Sequence, residues 1–151
     1  MTARNGAPGA DGGSAAPTGA SPALLIVDDE APVLALIQQL FAGEFPVYTA
    51  RSGADALAQL AAYEVGVVVA DQRMPGMAGI ELLARIAAEK PDVVRIVLTA
   101  YADTDNLLEA INAGRVYQFI TKPWDDLELK VTLWSAFEQL ELARENRRLL
   151  L

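Results

Sequence analysis

Five side chains carry most of the chemical potential of this sequence. Asp28 and Asp29 stand together in VDDE (27–30), Asp71 ends the apolar run VVVAD (67–71), Thr99 lies in VLTAY (97–101) and Lys122 in FITKPW (119–124). The chain has no histidine and no cysteine. That removes the commonest general base, the common zinc ligand, thiolate metal sites and disulfides. Oxygen chemistry is left. Three carboxylates gathered in a partly desolvated cleft repel one another, so a cation must offset them. Lys122 supplies one positive charge and a divalent ion the remainder; hard oxygen ligands favour Mg²⁺ over zinc. Mg²⁺ held by few carboxylates keeps positions that phosphate oxygens can fill. One carboxylate can then attack phosphorus and form an acyl phosphate. Metal, ammonium and threonine hydroxyl would stabilise the charge on the equatorial oxygens. Asp71 is the best candidate nucleophile, with Gly76 and Gly79 leaving the loop beyond it open.

These residues can meet only if the chain folds to bring them together, and its patterning says how. ALLIV (23–27), VYTA (47–50), VGVVVA (65–70), RIVLTA (95–100) and YQFI (117–120) are apolar runs of strand length. Helical spacing separates them. It runs through Val33, Leu36, Ile37, Leu40 and Phe41 after Pro32, which suits a first helical turn. It returns in Ala56, Leu57, Leu60 and Ala61, with Ser52 placed to cap that helix, and in Gly79 to Glu89 with Ile80, Leu83, Ile86 and Ala87 in phase. It recurs at Leu107, Leu108 and Ile111, stopped by Gly114. The third strand shows no polar alternation. Strand and helix in strict succession predict a doubly wound α/β fold: a five-stranded parallel sheet covered on both faces. Ligands of such sheets bind outside the carboxyl ends of the strands. Asp28 and Asp29 follow the first strand, Asp71 the third, Thr99 ends the fourth and Lys122 follows the fifth. A single Asp after a strand is usually a helix cap. Three, joined by Thr and Lys on one rim, are harder to explain in that way.

The rest of the chain sets limits. It has 151 residues, 52% of them hydrophobic, enough for one domain with a sizeable core. The net charge of −8 argues against direct nucleic-acid binding. No apolar stretch approaches the roughly 18 residues of a membrane span, and the N-terminus lacks the order of a signal peptide, so a cytoplasmic location is expected. Residues 1–22 are rich in Gly, Ala, Pro, Ser and Thr, which cannot bury enough surface to order the chain; they read as a disordered leader, an inert tail or a tether. Residues 23–138 read as the domain. In the last helix, capped by Asp125 or Asp126, Val131, Trp134, Phe137 and Leu140 suit packing on the sheet and on a partner. Residues 139–151 are expected to outrun the domain as a connector or the start of a coiled coil. Leu133, Phe137, Leu140, Arg144, Arg147 and Leu151 make a heptad-like seam that supports either a dimer stalk or an exposed helix end.

The acidic pair in VDDE, ADQRMPGMAGIELL (70–83), VLTAY and FITKPW come in an order and spacing that resemble the receiver domain of bacterial two-component response regulators. The resemblance covers residues 24 to about 138. It implies a flavodoxin-like fold with strand order 2-1-3-4-5 and five flanking helices. It also implies roles: Asp71 as phosphoacceptor, Asp29 as direct Mg²⁺ ligand, Asp28 as its partner through water, and Arg73 as donor of a backbone carbonyl to the metal. Thr99 matches the switch hydroxyl, Lys122 the lysine that pairs with the phosphoryl group, and Phe119 the aromatic switch position, where a plain core role is the alternative. The Lys122–Pro123 bond is cis in typical members. Trp124 is expected in the core or at an interface. Arg73 and Tyr101, two positions after Asp71 and Thr99, would screen the phosphoryl group from water.

The implied function is a signalling switch. A sensor histidine kinase or phosphotransfer protein donates the phosphoryl group, the surface around the fourth and fifth helices shifts, and an output domain or protein responds. Homodimerisation through those two helices is the expected mode. The stretch from INAGRVYQFITKPWDDLELK to RENRRLL further resembles receivers joined to HD-type cyclic-di-GMP phosphodiesterases or to enhancer-binding activators, so the chain reads as part of a larger regulator or as a single-domain one. Two rivals are weaker. An interaction module that never takes phosphate would not need all five site residues. An aspartyl phosphohydrolase typically needs an acid/base Asp where this chain has Arg73.

Overall fold

The computed structural model describes residues 22–100, 107–113 and 115–150. Its elements run β1 (Ala23–Val27), α1 (Ala31–Leu40), β2 (Val47–Ala50), α2 (Gly53–Ala62), β3 (Val65–Asp71), α3 (Gly79–Glu89), β4 (Val94–Ala100), α4 (Leu107–Asn112), β5 (Gln118–Lys122) and α5 (Asp126–Leu150). The strands form one five-stranded sheet in the order β2-β1-β3-β4-β5, with every pairing parallel. This is the flavodoxin-like order that the family resemblance implies. Tyr101, Gly114 and Leu151, and the leader up to residue 21, lie outside the described residues, as does the side chain of Arg147.

The sheet is buried on both faces because successive strand residues point to opposite sides. Leu25, Val27, Val68, Ala70 and Val97 pack with Ala56, Leu60, Leu82, Leu83, Ile86, Leu107 and Ala110, under α2, α3 and α4. Leu24, Ile26, Val67, Val69, Ile96 and Leu98 pack with Leu34, Ile37, Phe41, Leu129, Leu133, Ala136 and Leu140, under α1 and α5. This double cover explains the absence of polar alternation in β1 and β3.

Local signals set the helix starts. Proline stands in the first turn of α1, and the Ser52 hydroxyl accepts the Asp55 N–H at 3.1 Å to cap α2. The backbone N–H of Leu129 donates to the Asp125 carbonyl (2.9 Å), which places Asp125 at the cap position of α5. Helix α3 begins on Ala78, which has no capping side chain. Gln72 substitutes for it, its Oε1 accepting the Ile80 N–H at 2.9 Å. That bond ties the start of α3 to the residue after Asp71. Gly79 is required at the same place, since a Cβ there would lie 2.5 Å from the Asp71 carbonyl oxygen.

Four expectations need correction. The fifth strand does not stop at Ile120. It continues through Lys122, because Thr121 and Lys122 pair with Thr99 and Ala100 of β4. Similarly, Asp71 is the last residue of β3, paired with Leu98. The inner face of α5 is also rotated from the expected one. Leu129, Leu133, Ala136 and Leu140 are at most 2% exposed, whereas Val131 and Trp134 are 57% and 51% exposed. Trp134 is held outside by Glu44, whose Oε1 accepts its indole N–H at 3.0 Å, and by the Phe45 ring at 4.7 Å. Phe137 stacks on the same ring at 4.1 Å. Helix α5 also stays on the domain beyond residue 138. Leu140 is buried where Gly66 leaves room for it, and Arg144 pairs with Glu64 at 2.8 Å. Leu133 and Leu140 therefore belong to the core and not to a free seam.

Two substitutions test this packing by urea unfolding. Leu140→Ala is expected to cost about 2–5 kcal/mol, whereas Leu142→Ala, at a position 63% exposed, should stay within about 0.5 kcal/mol. Gly79→Ala is expected to cost about 1–3 kcal/mol through its collision with the Asp71 backbone, with no left-handed strain involved.

Candidate functional site

Parallel pairing in register brings the carboxyl ends of β1, β3, β4 and β5 to one rim. Val27 is opposite Ala70, Asp71 opposite Leu98, and Thr99 opposite Thr121. Asp28 and Asp29 follow β1 directly, so they stand beside Asp71 across the β1–β3 ladder. One carboxylate oxygen from each of Asp28, Asp29 and Asp71 lies within 4.8 Å of the others, the one such acidic cluster found among the described residues. Lys122 closes it from β5, its Nζ 2.7 Å from Asp71 Oδ1 and 3.3 Å from Asp28 Oδ2. The Lys122–Pro123 peptide is cis.

Each carboxylate is held differently. Asp28 is fully buried and uses both oxygens on protein donors, Oδ1 taking the Glu30 N–H at 2.9 Å and Oδ2 the Lys122 ammonium. Asp71 is 7% exposed. Its loop is anchored by Gln72, whose N–H donates to the Leu98 carbonyl (2.8 Å) and whose carbonyl accepts the Gly79 N–H (3.0 Å). Asp29 is half-buried, and its own carbonyl accepts from Arg51 Nη2 at 2.9 Å.

The electrostatics follow from this crowding. Burial raises the Asp71 carboxyl above the usual carboxylate range; Lys122 opposes the rise, and the negative charges of Asp28 and Asp29 add to it. Burial alone would lower the Lys122 ammonium, but its contacts with Asp71 and Asp28 outweigh that and raise it. Three carboxylates thus face one ammonium, which touches two of them, and the donor set consists of oxygens. Such a site suits a small hard divalent cation: its charge would relieve the repulsion, and Asp29 and Asp71 are the carboxylates whose oxygens are least committed to backbone donors.

The remaining expected site residues are placed as follows. Thr99 is 1% exposed on the same rim, with its hydroxyl donating to the Ala100 carbonyl at 3.2 Å. Phe119 is half-buried and packs against the core under α2, α3 and α4. Trp124 packs against the opposite core. The Arg73 side chain is exposed. Arg51 is the contributor that spacing did not single out, because a hydrogen bond to a backbone carbonyl 22 residues away leaves no pattern in the sequence.

Comparison with known proteins agrees with this geometry. Residues 24–133 match the response regulator receiver domain family model. The hydrogenase transcriptional regulatory protein HoxA of Cupriavidus necator is 36% identical over 126 residues, covering 83% of this chain but only 26% of that protein. Among solved structures, an adenylate cyclase from Rhodopirellula baltica superposes with a TM-score of 0.83 at 30% identity, covering 86% of this chain and 97% of that one. The signal receiver domain of an HD domain-containing protein from Pseudomonas fluorescens Pf-5 superposes at 0.75 with 38% identity, covering 80% of this chain and 97% of that one. A parallel sheet in the order 2-1-3-4-5, an acidic cluster with a shared lysine at its carboxyl rim, and a family match over most of the chain lead to one assignment: the protein belongs to the response regulator receiver domain family.

Proposed function

We propose that this receiver domain is a phosphorylation-dependent switch in which Asp71 takes a phosphoryl group from the phosphohistidine of a sensor histidine kinase or a phosphotransfer protein. The observation that carries this reading is the Lys122 ammonium 2.7 Å from Asp71 Oδ1, beside two further carboxylates. An Asp71 oxygen attacks phosphorus in line. The new P–O bond forms as the P–N bond breaks, and the electron pair leaves on the imidazole nitrogen. Lys122 donates to the incoming phosphoryl oxygens, and the Thr99 hydroxyl exchanges its bond to the Ala100 carbonyl for one of them. Asp29, Asp71 and the Arg73 carbonyl would hold Mg²⁺, with Asp28 acting through water. When bound, that ion would offset negative charge on the carboxylates and on the transferred group. The chain acts once per phosphorylation and returns by hydrolysis of the acyl phosphate, so it is a regulatory phosphoacceptor with self-catalysed transfer and release and not a turnover enzyme.

The placement of Thr99 and Lys122 supports the switch. They stand at the ends of β4 and β5, which lead towards α4 and α5. Moving both towards a phosphoryl group biases that face, with Phe119 exchanging between positions. A differential of a few kcal/mol between two states is enough to make the active one dominant. The responding surface is read as a homodimer interface through α4 and α5 and as the signal to an output domain or protein. The longer regulators that this chain resembles support such an output, since the chain spans 26% of HoxA. None of the described helices is long and apolar enough to cross a membrane, which fits a cytoplasmic relay. The bulk of Arg73 and Tyr101 is assigned to slowing the attack of water.

Incubation with acetyl phosphate and Mg²⁺ should add the mass of one phosphoryl group to the intact protein and none to Asp71→Asn; an unmodified wild-type chain would leave an interaction module as the better reading. A second test uses stability. Because folding raises the Asp71 carboxyl, the stability it contributes is complete below its ordinary value of 3.8 and is lost as pH rises through the folded value. At pH 7 without divalent cations, Asp71→Asn should therefore melt at a higher temperature than wild type. The difference should shrink as pH falls and vanish well below pH 3.8, and at pH 7 Mg²⁺ should narrow it by stabilising the wild type.

A further inference from the structure

The three carboxylates of the site are not positioned in the same way, and the difference points to a residue outside it. Asp28 is fixed through its carboxylate by Glu30 and Lys122, and Asp71 through its strand and Lys122. Asp29 lies beyond the end of β1, and no described backbone N–H or side-chain donor bonds its carboxylate. Its restraint comes from behind. The Arg51 guanidinium reaches across from the end of β2 and donates from Nη2 to the Asp29 carbonyl at 2.9 Å.

Arg51 is itself anchored. Its backbone N–H donates to Asp55 Oδ2 at 3.4 Å, and Asp55 Oδ1 accepts from the Gln59 side-chain amide at 3.4 Å. The same Gln59 nitrogen donates to the Thr49 carbonyl of β2 at 2.7 Å, and the Asp55 N–H is spent on Ser52 Oγ at 3.1 Å. A chain of hydrogen bonds therefore runs from the edge strand, through the first turns of α2, to the backbone of Asp29. We infer that Arg51 is a positioning residue for Asp29, holding the loop after β1 so that its carboxylate faces the acidic cluster. The inference rests on reading that cluster as a divalent-cation site. Arg51 touches neither a cation nor a phosphoryl group in this role.

Arg51 also carries a positive charge, and the two effects have opposite signs. As a charge near the cluster it repels a divalent cation, so its removal would tighten binding. As an anchor it keeps Asp29 in place, so its removal would loosen binding. The contact is direct and charge-assisted, while the guanidinium is exposed and its field is screened by solvent and salt. Anchoring dominates.

Isothermal titration of the full chain with Mg²⁺ separates these effects, together with hydrogen–deuterium exchange of residues 29–31 in metal-free protein. Arg51→Ala is expected to bind Mg²⁺ roughly three- to ten-fold more weakly and to exchange faster at residues 29–31. Arg51→Lys should recover part of the affinity, because an ammonium still donates to the carbonyl without the planar fork. Affinity equal to or tighter than wild type in Arg51→Ala would overturn the inference. If wild type itself takes up no Mg²⁺, the reading of the site fails. The exchange data then decide the anchoring alone: unchanged exchange in Arg51→Ala overturns it.

Discussion

Excess negative charge at one rim governs this molecule. Asp28 is fully buried and Asp71 is 7% exposed, and a buried carboxylate without compensation costs several kcal/mol. Lys122 compensates, but it is a single ammonium placed between two of the carboxylates, 2.7 Å from one and 3.3 Å from the other. It is therefore shared between them. Lys122 is the last residue of β5 and α5 starts at Asp126, so the shared ammonium stands close along the chain to the entrance of the last helix.

The fold makes such crowding possible. Every strand of the sheet runs in the same direction, so every carboxyl end falls on the same rim, and residues far apart in the chain become neighbours by register. A sheet sealed on both faces by apolar side chains supplies the stiffness that holds like charges together. The loop after Asp71 is fixed twice, by the Gln72 side chain at the start of α3 and by the absence of a side chain at Gly79. The Asp71 backbone is thereby held in place, and on the neighbouring strand the Thr99 hydroxyl rests on the next carbonyl.

Helix α5 is anchored away from the site by a different kind of contact. Phe41, Phe45, Phe137 and Trp134 form a run of ring contacts between α5 and the turn after α1. Glu44 receives both Lys130 and the Trp134 indole, which hold its carboxyl below the usual range. The Leu140 contact at Gly66 and the Arg144–Glu64 pair extend the docking further along the helix. Helix α5 is thus held along one side by contacts that lie away from the acidic rim.

Much of this was legible in the residues. Strands 23–27 and 47–50 and helix Gly79–Glu89 have the bounds that patterning predicts, and the Ser52 cap is present, because these features depend on local periodicity and short-range hydrogen bonding. The convergence of Asp28, Asp29, Asp71, Thr99 and Lys122 was also legible, since alternation of strand and helix implies a parallel sheet and a parallel sheet implies a common rim. Tertiary structure alone decided three things. The inward face of α5 was ambiguous, because Leu127, Val131 and Trp134 repeat with the same helical period as Leu129, Leu133, Ala136 and Leu140, and only contact with the sheet chooses between them. The ends of β3 and β5 depended on the ladder partner that neighbouring strands supply. The Arg51 bond to Asp29 joins a flexible side chain to a backbone oxygen that every residue possesses, so residue identity and spacing cannot encode it, and only the packed chain selects that pair.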